Sequence, residues 1–429
     1  MLKSKFLRYL IVNSFWISGL AHSKIVRYEL VATQENVNLS GQKTVDFALA
    51  VNGTIPSPTL TFTEGDDAEI VVKNQVANQE LSIHWHGLLL PSAMDGVPYV
   101  TTPPIKSGES YTFKFKLRQS GTYWYHSHTH LQEQKGVYGA FVVHPKKPTV
   151  NVDKDIVVVL SDWSDENADQ ILKNLRKDGD YYLYKKKTVR SWAGAIKAGA
   201  LGTLLYNEWT RMGGMDLSDV GYDAFLINGK RGLQLTEAKA KQKIRLRIIN
   251  AAASSYFYVS LADLPMKVIS ADGTDIEPVL AKEILLGMAE TYDVLFEVPE
   301  QKNYEFKLTA QDGTGFASAW IGSGEQVFAP NRQPPDLYAG MAMDHSKMDH
   351  SKMDHSKMDH SKMKMTAAAN KVIQTLTVDD LRAKSKTDLP SQNPVHEVKL
   401  VLNGDMERYV WHINGKALNQ ERTIIIKEN

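Results

Sequence analysis

The chain of 429 residues contains no cysteine. That excludes disulfides, thiolate metal sites and cysteine nucleophiles, so the redox compartment has to be read from another feature. No sign of charge prevails: 50 Lys and Arg stand against 49 Asp and Glu, a balance that points neither to nucleic acid nor to an acidic membrane surface. Beyond the N-terminus no apolar run is long enough to span a membrane. Helical periodicity is scarce as well. Apolar residues are plentiful, at 43% of the chain, enough for two or three domains with their own cores.

The N-terminus supplies the compartment. Lys3, Lys5 and Arg8 form a basic region, and residues 9–20 are mostly apolar. Gly19-Leu20-Ala21 follows, with small residues at the positions signal peptidase reads. An apolar run of about 12 residues falls short of the roughly 20 a membrane span needs. The reading is a signal peptide over 1–21, cleaved after Ala21, and a periplasmic destination. There is no twin-Arg pair, so export unfolded is expected, with any metal loaded outside the cytoplasm.

The remainder reads as short strands. Residues 28–33, 46–51, 68–72, 111–117 and 139–143 are rich in β-branched and aromatic types, with turn residues such as Asn52-Gly53 and Ser107-Gly108 between them. Similar runs return at 156–160, 224–227, 244–249, 256–261, 266–270 and 292–297. The stretch 165–205 is less regular, with a short helix expected at 170–176. Strands at this spacing argue for an all-β chain of antiparallel sandwiches or barrels. The expected organisation is one sandwich over 24–148, a second with a long insertion over 153–330, and a low-complexity insert over 337–366. The segment 371–429, with strand-like runs at 397–402 and 423–426, is too short for another sandwich of roughly 100 residues and reads as the incomplete start of a third unit.

Chemistry concentrates in two His-x-His motifs. His84-Trp85-His86-Gly87 is one and His126-Ser127-His128 the other. On a strand, residues two apart point to the same face, so each motif presents two imidazoles about 6–7 Å apart. Two such strands side by side would gather four imidazoles around one small volume. Imidazole suits Cu, Zn, Fe and Ni; without thiolates, copper or zinc is the default. A hydrolytic zinc site is the chemical rival, and it usually wants a carboxylate close by; none stands immediately beside either motif.

At these residues the sequence resembles the multicopper oxidases. The carriers are His84-Trp85-His86-Gly87, Asp95-Gly96-Val97-Pro98 and the run Gly121-Thr122-Tyr123-Trp124-Tyr125-His126-Ser127-His128. Asn52-Gly53-Thr54-Ile55-Pro56-Ser57-Pro58 matches the family's opening turn. Arg247-Ile248-Ile249-Asn250-Ala251 and Glu290-Thr291-Tyr292-Asp293-Val294 match its second domain. The Met/His-rich insert narrows the resemblance to the periplasmic copper-resistance branch.

The resemblance implies tandem cupredoxin-like, Greek-key β-sandwiches. It implies a type 1 copper that takes electrons from substrate, and a trinuclear cluster of one type 2 and two type 3 coppers that reduces dioxygen to water. Carried over by motif, His84 corresponds to a type 2 ligand and His86, His126 and His128 to type 3 ligands. Asp95 corresponds to a carboxylate that relays protons, consistent with the proton demand of dioxygen reduction. A plain turn role for Asp95 in Asp-Gly is the competing reading. The pattern then breaks: after Met363 only His396 and His412 remain, in no copper motif, and the type 1 site needs a cysteine. The chain therefore carries part of the type 2 and type 3 ligands and no type 1 site. It is either a shortened or a degenerate member. Cu(I) oxidation is the activity expected of the complete protein, and non-catalytic copper sequestration is the alternative for this chain.

Three other histidines read as bystanders. His130 is a neighbour of the cluster, His144 a surface residue at a strand end, and His412 a half-buried structural residue. From Met343 to Lys362 the unit Met-Asp-His-Ser-Lys repeats four times. One Asp and one Lys per unit cancel, and no core-forming face exists beyond Met, so disorder is expected. Thioether suits Cu(I) and imidazole either copper state. Copper capture by Met343, Met348, Met353, Met358 and Met363 with His345, His350, His355 and His360 is the functional reading; a slipped linker is the bland one.

Overall fold

The computed structural model describes residues 24–210, 217–338, 372–386, 398–405, 409–417, 419–421 and 423. The first unit contains eight strands: β1 (Ile25–Val37), β2 (Val45–Val51), β3 (Ser57–Thr63), β4 (Asp67–Asn74), β5 (His84–His86), β6 (Ser110–Lys116), β7 (Gly121–His126) and β8 (Tyr138–His144). β4 shows why they form. Its residues alternate between half-buried and buried along the whole strand, so Ala68, Ile70 and Val72 face inward while Asp67, Glu69 and Lys73 face out. Two four-stranded sheets result, in the orders β2-β1-β4-β6 and β3-β8-β7-β5. Between them lies one core built from Leu30, Ile70, Phe113, Trp85, Tyr125 and Phe141 among others. Each such fully buried side chain contributes about 1.5–3 kcal/mol of apolar burial.

The sheets are not purely antiparallel, contrary to expectation. β1 pairs in parallel with β4, and β3 with β8. The cause is the Greek-key path: the chain leaves β2, crosses to the opposite sheet for β3, and returns beside β1 as β4. A strand that returns through the other layer enters in the same direction as its neighbour.

The second unit follows as β9 (Lys154–Trp163), β10 (Ala224–Ile227), β11 (Gly232–Thr236), β12 (Lys243–Asn250), β13 (Phe257–Leu261), β14 (Met266–Ala271), β15 (Thr274–Leu286), β16 (Thr291–Glu297), β17 (Asn303–Ala310), β18 (Phe316–Gly322) and β19 (Gln326–Val327). One continuous sheet, β10-β9-β12-β16-β14-β15-β13-β17-β18-β11, wraps a single core that includes Val158, Leu246, Phe257, Val294 and Phe306. β20 (Val372–Leu376), from the segment read as opening a third unit, pairs in parallel with β15 of this sheet. The hairpin β21 (Leu402–Asp405) and β22 (Val410–Ile413) stands apart as a two-stranded sheet.

The insertion between β9 and β10 is more helical than its sequence suggested. It holds α1 (Ala168–Lys177), α2 (Leu183–Lys186), α3 (Trp192–Lys197) and α4 (Leu201–Thr210). Asn167 caps α1 by accepting from Asp169 N, and Arg176 and Lys177 sit in its last turn, where the helix dipole favours cations. Among the described residues no helix is long and apolar enough to cross a membrane.

A buried polar joint couples the two units. Arg247, 1% exposed, donates two hydrogen bonds to Asp155 at 2.7 and 2.8 Å and one to Thr122 Oγ1 at 2.9 Å. Thr122 Oγ1 donates to Asp293 at 2.6 Å, and Thr291 Oγ1 donates to the Thr122 carbonyl at 2.9 Å. Thr122 belongs to β7, so the second unit grips the strand that ends in His126.

Candidate metal centre

β5 and β7 lie antiparallel, with His84 opposite His126 and His86 opposite Trp124. The expected face-sharing holds for His84 and His86, whose rings are 5.6 Å apart on β5. It fails for the second motif, because β7 ends at His126 and His128 lies beyond it. His128 is held by the loop instead: its N–H donates to Ser82 Oγ at 3.0 Å, and Ser127 Oγ donates to Gln132 at 2.8 Å. The result is still convergence. The ring centroids of His126 and His128 are 4.8 Å apart, and those of His84 and His128 4.6 Å. Ring nitrogens of His84, His126 and His128 all fall within 4.8 Å of one another, a set that could hold a metal ion. His86 joins through a 3.3 Å contact from its Nδ1 to His126 Nε2.

The partners of these rings decide which nitrogens are free. His84 Nδ1 donates to the backbone carbonyl of Asp95 at 2.8 Å, and the Asp95 carboxylate lies farther, at 3.5 Å. His126 Nδ1 donates to Glu133 Oε2 at 2.9 Å. Both pairings leave Nε2 with its lone pair turned to the cluster, the arrangement of a metal-binding imidazole oriented by a second partner. Trp124 stacks on His126 at 4.1 Å with planes 8° apart, fixing the ring further. On another side His86 borders a cavity of about 230 Å³ between the two units, lined also by Thr122, Met288 and Glu290.

Electrostatics keep the donors available. Burial, reinforced by neighbouring histidines, lowers His86 to about 4, His126 to about 3 and His128 to about 4. At neutral pH these imidazoles are uncharged and free to ligate. Burial pushes the Glu133 carboxyl up to about 7. An all-nitrogen donor set of neutral imidazoles fits copper.

Glu133 is the residue sequence reasoning missed. It stands seven positions past His126, in the turn where Gly136 N donates to Glu133 O at 3.0 Å. Only the fold of that turn brings it back to the motif. It orients an imidazole, which differs from the free carboxylate base a hydrolytic zinc site needs. Asp95 shapes a turn, its N–H donating to Ser92 O at 3.1 Å, and its backbone carbonyl accepts from His84 Nδ1. The next residue makes this geometry possible. Gly96 has φ +82, and a Cβ there would lie 1.7 Å from the Ile83 carbonyl.

The bystander histidines divide. His130 is exposed and pairs with Asp169 at 3.4 Å, outside the cluster, and His412 on β22 is half-buried. His144 is less superficial than expected. It is half-buried at the end of β8, 3.5 Å from Arg247, and burial and that guanidinium lower its pKa. The signal peptide expected at 1–21 and the repeat residues Met343, His345, Met348, His350, Met353, His355, Met358, His360 and Met363 lie outside the described residues.

Two family models, both described as multicopper oxidase, match residues 31–148 and 154–322. Copper resistance protein A of Escherichia coli is 39% identical over 312 residues, which cover 71% of this chain and 51% of that protein. The copper resistance protein A homolog of Pseudomonas syringae pv. tomato is 37% identical, over 74% of this chain and 56% of its own length. The chain thus spans about half the length of these relatives. Among solved structures, Fet3p, a multicopper oxidase that functions in iron import, superposes with a TM-score of 0.58 at 22% identity, over 73% of this chain and 55% of its own. The laccase from Botrytis aclada gives 0.55 at 24%, over 73% and 56%. At that identity the likeness speaks for the fold, which is cupredoxin-like. With matches over both β units and a histidine cluster where the first unit's motifs converge, the chain belongs to the multicopper oxidase family, and it is similar to that family's copper-resistance members.

Proposed function

We propose that this chain forms the copper-holding N-terminal part of a periplasmic copper-resistance oxidase. The observation that carries this reading is the convergence of His84, His126 and His128 within 4.8 Å, with His86 in contact. His84 would serve a type 2 copper, and His86, His126 and His128 type 3 coppers. Bound there, copper would supply one-electron redox chemistry toward dioxygen. The chain's own residues do the rest. Asp95 and Glu133 hold ring orientation, and the Asp95 carboxylate, 3.5 Å from His84 Nδ1, would pass protons toward the cluster. In the complete protein the reaction would be the oxidation of four Cu(I) to four Cu(II), with one dioxygen and four protons giving two waters. Met343, Met348, Met353, Met358 and Met363, with His345, His350, His355 and His360, would capture incoming copper. The similarity to copper resistance protein A supports a part in copper resistance and, with the N-terminal pattern, the periplasmic setting.

These 429 residues hold no cysteine and therefore no blue-copper electron entry. For this chain alone, the expected behaviour is copper binding without turnover. The test is metal analysis and a visible spectrum of the copper-loaded protein. Bound copper without an intense blue band is expected, and His84→Ala with His126→Ala should remove the copper held outside the Met/His repeat. Absence of bound copper from a variant that lacks the repeat would overturn the cluster assignment.

A further inference from the structure

The turn that carries Glu133 lies between strands, because β7 ends at His126 and β8 begins at Tyr138. No ladder fixes it, so side chains must. From the first unit Gln132 braces it, accepting from Ser127 Oγ at 2.8 Å and donating to the Glu80 carbonyl at 2.7 Å. His130 bends the chain with a φ of +52, a left-handed conformation uncommon outside glycine.

The other grip comes from the second unit. Asp169 stands in the first turn of α1, behind the Asn167 cap. Its Oδ2 accepts from Lys135 Nζ at 2.7 Å, and its Oδ1 lies 3.4 Å from His130 Nδ1. Lys135 is only 8% exposed, and a buried ammonium requires such a partner. The same hydrogen bond holds the Asp169 carboxyl below its ordinary range. One carboxylate thus touches both ends of the segment 130–135, with Glu133 between them. Tyr222 adds a second hold: its hydroxyl donates to Gln134 Oε1 at 3.1 Å and lies 2.6 Å from Ser254 Oγ. Ser254 N donates in turn to the buried Asp162 at 3.1 Å. Gln134 and Lys135, the two residues that follow Glu133, are therefore both tied to the second unit.

We infer that Asp169 is a positioning residue for the candidate metal centre: by bridging His130 and Lys135, it keeps Glu133 against His126 Nδ1 and the His126 Nε2 lone pair on the cluster. A hydrogen bond of 2.9 Å tolerates little displacement, so Glu133 orients the ring only while its turn is fixed. The helical insertion supplies none of the four imidazoles, yet its first helix supports one of them from across the joint. The consequence for copper rests on the copper reading above, whereas the orientation of His126 does not.

The test reads the His126 tautomer in the metal-free full chain by nitrogen NMR of isotope-labelled histidine, the resonance being identified by its loss in His126→Gln. The native ring is expected as the Nδ1–H form alone. Asp169→Ala should turn it into a mixture of both tautomers, and Asp169→Asn, which can still accept from Lys135, should keep most of the Nδ1–H form. Lys135→Met retains the packing of the buried stem and removes the same contact, so it should give the mixture too. Copper affinity of the cluster is the part of a chelator competition curve that His84→Ala with His126→Ala removes. It should fall about three- to tenfold in Asp169→Ala, short of the 10–100-fold typical when the orienting partner itself is lost. Asp263→Ala, which breaks an exposed pair with Lys282, should change neither readout. A native ring already mixed, or an Nδ1–H form left intact by Asp169→Ala or by Lys135→Met, would overturn the inference. A native cluster that takes no copper would instead sink the copper reading, and the tautomer would still decide the role of Asp169.

Discussion

At the scale of single residues, the site depends on groups that touch imidazoles. Glu133→Ala removes the acceptor of the His126 Nδ1 proton, 2.9 Å away. Loss of such an orienting partner typically weakens a metal site about 10–100-fold. Competitive titration against a chromophoric chelator should show that drop, with Glu133→Gln recovering part of it; unchanged affinity would mean that Trp124 stacking alone positions the ring. Gly96→Ala acts through the backbone. Its Cβ would collide with the Ile83 carbonyl, so the turn must open and carry the Asp95 carbonyl away from His84. Weaker copper binding together with a lower melting temperature is expected, whereas Asp95→Ala, which keeps the carbonyl, should leave His84 oriented.

At the scale of elements, β7 is the strand that matters, and the second unit holds it through Arg247. Arg247→Ala would leave the partly exposed Asp155 without its partner and free Thr122 in the joint. Hydrogen bonds to a charged group are worth about 1.5–3 kcal/mol. A matching fall in the urea midpoint, with copper bound less tightly to the His cluster, would tie domain packing to the site; a fall in stability with unaltered copper binding would confine the joint to a structural role. Much at this scale was legible beforehand. The runs at 224–227 and 244–249 fall in β10 and β12 because alternating or continuous apolar residues carry a strong signal. β15 and β17 escaped notice: Lys282, Glu283, Glu305 and Lys307 interrupt them, and those charges are tolerated because salt bridges and local partners take them up. In the insertion only α1 was legible. α3 and α4 are short and lean on Tyr338, a contact no local pattern announces. His84 and His86 could be read as a pair from strand period, but the convergence of His128 on the cluster depends on Ser82, far away in sequence.

At the scale of the whole molecule, pH dependence follows from the cluster. In the unfolded chain a histidine titrates near 6.5, but here His86, His126 and His128 fall to about 4, 3 and 4. Below pH 6.5 the unfolded state therefore binds protons that the folded state refuses, and stability falls as pH falls. Glu133, raised to about 7 from 4.5, opposes this between those values, because the folded state keeps a proton the unfolded state releases. Three groups outweigh one, so the metal-free protein should lose stability from about pH 6.5 and most steeply below about 4.5. Urea melts across that range would show it; a flat profile down to pH 4 would mean the imidazoles are already charged when folded. Excising residues 343–362 should reduce the copper bound per chain without shifting the melting of the β units, as metal analysis beside calorimetry would reveal.

Tyr338 is fastened to α3 and Val372 to β15, so the chain before and after the Met-Asp-His-Ser-Lys repeat is moored on one unit at both ends. Lengthening a connection between fixed moorings is inexpensive: each doubling adds only about 0.6 kcal/mol of closure entropy. Copies of a five-residue unit can therefore be gained or lost by replication slippage without endangering the fold that carries them. The number of thioethers and imidazoles can therefore change from one generation to the next independently of the β scaffold.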